Sequence, residues 1–322
     1  MRAWLEARWY GGAPVPAWLA GLEGLYRGLL GLRAALYASG LRRTRHPGRP
    51  VVVVGNLVPG GTGKTPVVIA LARALAARGL RPGVVSRGYG RRGRGLRWVE
   101  PGSDPAAVGD EPLEIRLAAG CPVVVAADRA RAAETLVRGA AVDVVLSDDG
   151  LQHRRLARDL EIVLMDAARG LGNGRLLPAG PLREPATRLA RADFVLWRDG
   201  EGGFRVEPVA IRRLADGQRE SPESWRGRAV RAAAGIARPE RFFAALEGLG
   251  MRLAERHPLP DHAPLPAALL AARSPLPLVV TAKDAVKLRP MPTGELWVLE
   301  AEARLDPALL ERILGRIRAL LP

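Results

Sequence analysis

Residues 51–66 read VVVVGNLVPGGTGKTP. The opening valine run carries no polar residue, as a strand buried on both faces of a parallel sheet requires. Gly60, Gly61 and Gly63 then let the backbone curl so that its N–H groups converge on an anion. Lys64 can reach the β- and γ-phosphates of a nucleotide, and the Thr65 hydroxyl can ligate Mg²⁺. The next stretch, 65–78, predicts a helix ending at Gly79, with its amino terminus facing the same anion. The regular pattern has glycine at position 58, where this chain has Val58, so the loop is a variant of the phosphate-binding turn. Gly60, Gly61, Thr62, Gly63, Lys64 and Thr65 are therefore the candidate cradle for ATP, with Mg²⁺ as its companion.

Working outward, strand-like runs alternate with helical ones. RPGVVS, CPVVVAA, VDVVLSDD, LEIVLMD and ADFVLWR are strand candidates, and 128–139 is a helix candidate. This pattern specifies an α/β fold with a mostly parallel sheet of the P-loop NTPase type. VDVVLSDDG delivers Asp148 and Asp149 to the carboxyl end of a strand, the edge where ligands bind in open parallel sheets. Both are candidate metal-side carboxylates; Asp-Asp-Gly is equally good turn chemistry. Residues 199–226, rich in glycine and charge, read as a linker with room for a short hairpin. A second, smaller α/β pattern follows. AVRAAAGIA, PLVVTAKD and ELWVLE are its strands, and 239–248 and 306–320 its helices. The expected organisation is an amino-terminal segment (1–40), a P-loop domain (41–200), a linker (201–226) and a smaller domain (227–322).

The chain has 322 residues and a formal charge of +16, a field that favours phosphates, acidic lipid surfaces or nucleic acid. Of 49 basic residues only Lys64, Lys283 and Lys287 are lysine. Where arginine is the default cation, a retained lysine marks a site that needs a compact ammonium. The single cysteine, Cys121, excludes an internal disulfide and lies in an apolar run, as a core residue would. The four histidines, His46, His153, His257 and His262, form no zinc-site spacing.

Residues 1–40 hold Trp4, Trp9, Tyr10, Trp18, Tyr26 and Tyr37, six of the chain's eleven Trp and Tyr residues. A helix is predicted from Pro16 to Ser39 or Gly40, with Leu22, Leu25, Tyr26, Leu29, Leu32 and Leu36 along one stripe. Glu23, Arg27 and Arg33 interrupt it, so it is not an uninterrupted span. An amphipathic helix with aromatic anchors and the basic end Arg42, Arg43 and Arg45 suits a membrane surface. The alternative is a helix docked on the protein's own core, with Gly21, Gly24, Gly28 and Gly31 allowing close approach.

Seven stretches in order resemble the tetraacyldisaccharide 4′-kinase family, the lipid A 4′-kinases. They are VGNLVPGGTGKTP (54–66), SRGYGR (86–91), VGDEP (108–112), DDGLQHR (148–154), GPLREP (180–185), LPDHAP (259–264) and TAKDAVKL (281–288). The resemblance implies two α/β domains and transfer of the ATP γ-phosphate to the 4′-hydroxyl of a tetraacyl glucosamine disaccharide 1-phosphate. It also implies a peripheral enzyme on the cytoplasmic face of a bacterial inner membrane, acting on a lipid substrate with no obligate protein partner. By the same resemblance Asp110 is the catalytic aspartate and His262 its paired histidine. Asp148 and Asp149 lie beside the metal, with Glu111 as a supporting carboxylate. Two departures are Ala263 and Ala282, the second leaving the role of Lys283 and Asp284 open.

Read without that likeness, Asp110 and Glu111 are also helix-start acids, and His262 a loop histidine. His153 is a loop residue or a partner of the aspartate pair. Arg87, through its motif, and Arg183 are expected at the substrate; a salt bridge near Glu184 is the alternative for Arg183. A ParA- or MinD-like switch ATPase shares the variant loop, but usually has an earlier lysine where this chain reads Asn56, Leu57, Val58, Pro59. A nucleic-acid-binding module rests on charge alone, since no helix-turn-helix, zinc-finger or RNA-binding signature is present, and none is expected as a partner.

Overall fold

The computed structural model describes residues 1–271, 274–288 and 295–321. Its strands are β1 (Val51–Asn56), β2 (Pro82–Ser86), β3 (Arg97–Trp98), β4 (Val123–Val125), β5 (Val144–Asp148), β6 (Leu160–Asp166), β7 (Phe194–Arg198), β8 (Phe204–Arg213), β9 (Arg219–Glu220), β10 (Ala229–Ala234), β11 (Arg252–Pro258), β12 (Leu278–Thr281) and β13 (Leu296–Leu305). The helices are α1 (Arg2–Trp9), α2 (Ala17–Ala38), α3 (Lys64–Ala76), α4 (Pro105–Val108), α5 (Asp110–Ala119), α6 (Arg129–Gly139), α7 (Pro239–Gly248), α8 (Ala267–Ala271), α9 (Ala282–Ala285) and α10 (Pro307–Arg318).

One continuous sheet runs β11-β10-β12-β13-β8-β7-β6-β1-β5-β2-β4-β3. It has two parallel parts. In the first, β1 lies between β5 and β6, with Val54 opposite both Asp148 and Ile162. Alternate valines of β1 therefore feed opposite cores. Val52 and Val54 join α3, α5 and α10 on one face, and Val51 and Val53 join α6 on the other. The second part holds β10, β11, β12 and β13 in parallel. Its faces are covered by α7 with Trp225 and by α8 with α9.

The junction is the antiparallel pair β8 and β13, paired from Phe204↔Leu305 to Arg213↔Trp297 with one register shift between Glu300 and Ala301. β8 meets β7 at Arg198↔Phe204. Residues 199–226, read from sequence as a connection with a short hairpin, thus contain a ten-residue strand, and Trp225 within them is fully buried. Glycine and arginine at the flanks hid the alternating FRVEPVAI pattern. β11 also escaped the sequence reading, because this edge strand is largely exposed and carries charge where a core strand carries valine.

α2 is amphipathic, but its docking face differs from expectation. Leu19 is buried, and Tyr26 and Leu30 pack on the core. The Tyr26 hydroxyl donates to the Arg183 carbonyl at 2.9 Å, and Arg33 donates to the Gln152 carbonyl at 2.7 Å. Tyr26 therefore leaves the predicted stripe and faces inward. Gly21, Gly24, Gly28 and Gly31 have open space around them and mediate no close packing. The outward face carries Trp18, Leu22, Leu25, Leu29 and Leu32, from 45% to 62% exposed. Trp4 of α1 stacks on Trp18 with ring centroids 6.1 Å apart, extending this apolar surface. Among the described residues no helix is long and apolar enough to cross a membrane.

Candidate active site

β1 ends at Asn56 and α3 begins at Lys64, so the intervening glycine turn lies at the carboxyl edge of the sheet. Gly63 caps α3 at φ +93°, and a Cβ there would lie 2.9 Å from the Phe204 ring. Both conformation and space demand glycine. The turn is braced by Asn56, whose side-chain amide donates to the Thr62 hydroxyl at 3.0 Å. Arg198 donates to the Gly61 carbonyl at 3.3 Å. Thr62 and Thr65 are buried.

β5 delivers Asp148 beside this turn, 1% exposed, where one carboxylate oxygen accepts from the Ser86 hydroxyl at 3.1 Å. Its other oxygen, Oδ1, is buried without a partner. Burial, with Glu111 and Asp149 nearby, pushes the Asp148 carboxyl up to about 7. Asp149 follows at φ +47°, so the Asp-Asp-Gly segment is indeed a turn as well as an acidic site. Its carboxylate sits 3.7 Å from the Lys64 ammonium and 3.2 Å from Arg183. Burial alone would raise Asp149, but Lys64, Arg183 and Arg129 outweigh it and hold the group below the usual carboxylate range.

Across the cleft, Gly109 opens α5 and packs on Gly88, where a Cβ would come within 2.9 Å of backbone. This glycine contact joins the VGDEP and SRGYGR segments and sets Asp110 at the start of α5. His262 arrives from the loop after β11, held at φ +65° by donation of its N–H to the Gly235 carbonyl at 3.1 Å. Its Nδ1 lies 3.2 Å from Asp110 Oδ2, and the Tyr89 ring is 5.1 Å away, centroid to centroid. Lys283 contacts Glu111, Asp261 and His262, and Lys287 contacts Asp110 and Asp284. All three lysines of the chain therefore stand in this cleft, two of them against the acid–imidazole pair.

The same seven segments that converge here are matched as a whole by known proteins. The family model described as Tetraacyldisaccharide-1-P 4′-kinase matches residues 15–318. The chain belongs to this family. A tetraacyldisaccharide 4′-kinase of Pseudomonas aeruginosa is 48% identical over 325 residues, covering 98% of each chain. One from Alkalilimnicola ehrlichii is 50% identical over 309 residues, 93% of this chain and 92% of that one. The crystal structure of LpxK from Aquifex aeolicus in complex with ATP superposes with a TM-score of 0.80 at 28% identity, covering 94% of this chain and 98% of that one.

Within this kinase the remaining expected residues fall as follows. Arg183 joins Asp149 and Asn56 rather than pairing with its neighbour; Glu184 is matched by Arg154 and Arg188. Arg87 is exposed on the loop after β2. Glu111 is engaged by Lys283 at 3.2 Å. His153 accepts the Arg129 N–H at the start of α6 (3.1 Å), and burial followed by the Arg129 charge pulls its imidazole down to about 4. It is a neutral cap, not a partner of the aspartates. Among the described residues no group of three or more His, Cys, Asp or Glu side chains is arranged to hold a metal alone. The Asp148 oxygen without a partner and the clustered negative charge nevertheless fit a divalent cation shared with phosphate oxygens.

Sequence reasoning missed Asn56, the brace of the turn, and Arg129. Arg129 is 6% exposed, its Nε has no partner, and burial beside Arg87 lowers its guanidinium to about 10. The signal for Asn56 was available: a lone polar residue ending an apolar strand. Arg129 was one arginine among many. A cavity of about 1170 Å³ also opens between α3, α5 and the β8–β13 ribbon. Glu114 lines it, its carboxyl pushed up to about 8 by burial and by Glu111.

Proposed function

We propose that this kinase transfers the γ-phosphate of ATP to the 4′-hydroxyl of a tetraacyl glucosamine disaccharide 1-phosphate while seated on a membrane surface. The observation that carries the reading is the Asp110–His262 pair at 3.2 Å, facing the glycine turn from the other side of one cleft. Backbone N–H groups of the 60–65 turn, apart from that of Thr62, which donates to the Gly60 carbonyl at 2.9 Å, and the Lys64 ammonium bind the triphosphate. Lys64 and Arg183 gather around Asp149, so cationic charge stands where the transferring phosphoryl group becomes more negative. Mg²⁺, held by Thr65 and Asp148 with Asp149 and Glu111 close by, supplies further charge neutralisation when bound.

A sugar hydroxyl is a poor nucleophile at neutral pH, and a positioned carboxylate removes that limit by accepting its proton as the bond to phosphorus forms. Asp110 takes this role. Its Oδ2 is held by His262, and Oδ1 has no protein partner among the described residues, so it is free to meet the hydroxyl. Arg87 and Arg183 stand ready for the substrate's anionic groups.

The exposed Trp18, Leu22, Leu25, Leu29 and Leu32 face supports a peripheral membrane seat, as does the net charge of +16. Because Tyr26 and Arg33 tie the same helix to the Arg183 and Gln152 segments, a membrane-bound α2 holds the catalytic cleft near the lipid plane. The test is incubation of the purified chain with γ-labelled ATP, Mg²⁺ and the disaccharide 1-phosphate. Label is expected on the lipid at the 4′ position and absent with Lys64→Ala. Nucleotide hydrolysis stimulated by DNA or a protein partner, without lipid labelling, would contradict the reading.

A further inference from the structure

We propose that Lys283 is a positioning residue that fixes His262 as its Nδ1–H tautomer, so that the imidazole donates to Asp110. This rests on the reading of Asp110 and His262 as the reacting pair. An ammonium has three donors and no acceptor. The three nearest acceptors of the Lys283 ammonium are Asp261 Oδ1 at 2.9 Å, Glu111 Oε1 at 3.2 Å and His262 Nε2 at 3.3 Å. Each N–H is thereby assigned once. Nε2 must then accept, and a neutral imidazole that accepts at Nε2 carries its proton on Nδ1. That proton points at Asp110 Oδ2, 3.2 Å away. The other tautomer would set an Nε2–H against an ammonium, with Asp261 Oδ1 at 3.7 Å too far to accept it, and an Nδ1 lone pair against a carboxylate, two repulsive contacts in a site where both partners are mostly shielded from water.

The lysine is itself held in place. Its side chain is 13% exposed and sits between the carboxylates of Glu111 and Asp261. It lies on α9, whose first turn is capped by the Thr281 hydroxyl accepting from the Asp284 N–H. Lys287, one turn on, does the matching work on the aspartate. It bonds Asp284 at 2.8 Å and the Ala263 carbonyl at 2.9 Å, and lies 3.6 Å from Asp110 Oδ2. Asp110 Oδ2 therefore faces two cationic or N–H donors, which orients Oδ1 outward. Glu111 comes from the P-loop half of the sheet, and Asp261, His262 and Lys283 from the other half. The ammonium thus ties the pair together across the cleft. A guanidinium cannot replace it, because its planar fork does not fit three acceptors arranged around a point.

The test uses the full chain and two independent readouts. Long-range ¹⁵N–¹H correlation spectra report the tautomer of each histidine, with His262→Gln identifying its signal among the four histidines. Wild type is expected to show Nδ1–H at His262, and Lys283→Met to lose that signature. The same variant is expected to lose at least about tenfold in kcat while KM for ATP stays within about twofold. Lys283→Arg is not expected to recover kcat. Lys283→Cys treated with 2-bromoethylamine, which rebuilds an ammonium of nearly the same reach, is expected to recover it; Cys121 is buried and spared. A kcat for Lys283→Met within about threefold of wild type, or an unchanged His262 tautomer, would overturn the proposal. A wild-type protein with the Nδ1–H signature that transfers no phosphate to the disaccharide would instead refute the functional reading and leave the tautomer assignment standing.

Discussion

Asp110 and His262 are 152 positions apart, yet Oδ2 of the first lies 3.2 Å from Nδ1 of the second. The contact joins the start of α5, in the P-loop half of the sheet, to the loop after β11, in the other half. In the proposed mechanism the pair acts as a unit, and unit behaviour has a kinetic signature. Asp110→Ala and His262→Ala are each expected to lower kcat by roughly 10²–10⁴-fold. The double variant is expected to be no more than about tenfold worse than the weaker single. Steady-state rates for the three proteins check this, and fully multiplicative losses would show that the two side chains work independently.

A second link between the halves is electrostatic. Asp166, at the end of β6 and 1% exposed, accepts from Arg238 at 2.7 Å and from Arg241 at 2.8 Å, both at the start of α7. Removing one member of a buried cluster strands the others. Asp166→Ala is expected to cost about 3 kcal/mol, seen as a lower urea midpoint with an unchanged slope. A variant as stable as wild type would mean that water reaches the two arginines freely.

Much of this architecture is legible in the sequence where a residue type has one physical use. The valine run of β1, the glycine turn and the acid pair closing β5 each admit few structures. So do the apolar runs of β2, β4, β6, β7, β10 and β12. The reading fails where the same residues have several uses. β11 reads RLAERHP and turns little more than Leu253 to the core, being exposed on most positions. β8 follows a glycine pair, and a register shift opposite Glu300 and Ala301 interrupts its alternation, so that Phe204 and Val206 join one core and Ile211 another. TAKD follows an apolar run and reads as the end of a strand, but Thr281 caps α9 there, placing Lys283 on a helix. Lys283 and Lys287 stand out as lysines in an arginine-rich chain, but the partners that place them in the cleft, Glu111, Asp261 and His262 for the first and Asp110 for the second, lie more than 20 residues away.

Glu114 gives a pH prediction. Its carboxyl is raised from 4.5 to about 8, first by burial and then by Glu111, with Lys283 opposing. Between those values the folded chain holds a proton that the unfolded chain releases, so stability falls as pH rises through this window. Glu114→Gln keeps the site neutral and removes that slope. Its melting temperature is expected to match wild type near pH 5 and to exceed it by about 3–6 °C near pH 9. A constant difference between the variants at both pH values would show that Glu114 is not titrating there.

The outward face of α2 carries the membrane prediction. Leu25 and Leu29, 62% and 55% exposed, contact no core cluster, so charging them leaves the fold intact. Leu25→Glu with Leu29→Glu removes roughly 3 kcal/mol of apolar insertion, and vesicle binding by sedimentation is expected to weaken about 100-fold. Soluble-nucleotide binding is expected to stay unchanged. Equal sedimentation of variant and wild type would assign membrane contact to another surface.

The central claim is that the glycine turn grips the nucleotide while Asp110, from across the cleft, readies the alcohol. Single-turnover transfer from preloaded ATP, measured beside nucleotide affinity in Asp110→Asn, separates the two tasks. The expected result is a nucleotide Kd within about threefold of wild type and transfer slowed by at least about 10²-fold. Transfer at the wild-type rate by Asp110→Asn would contradict the account.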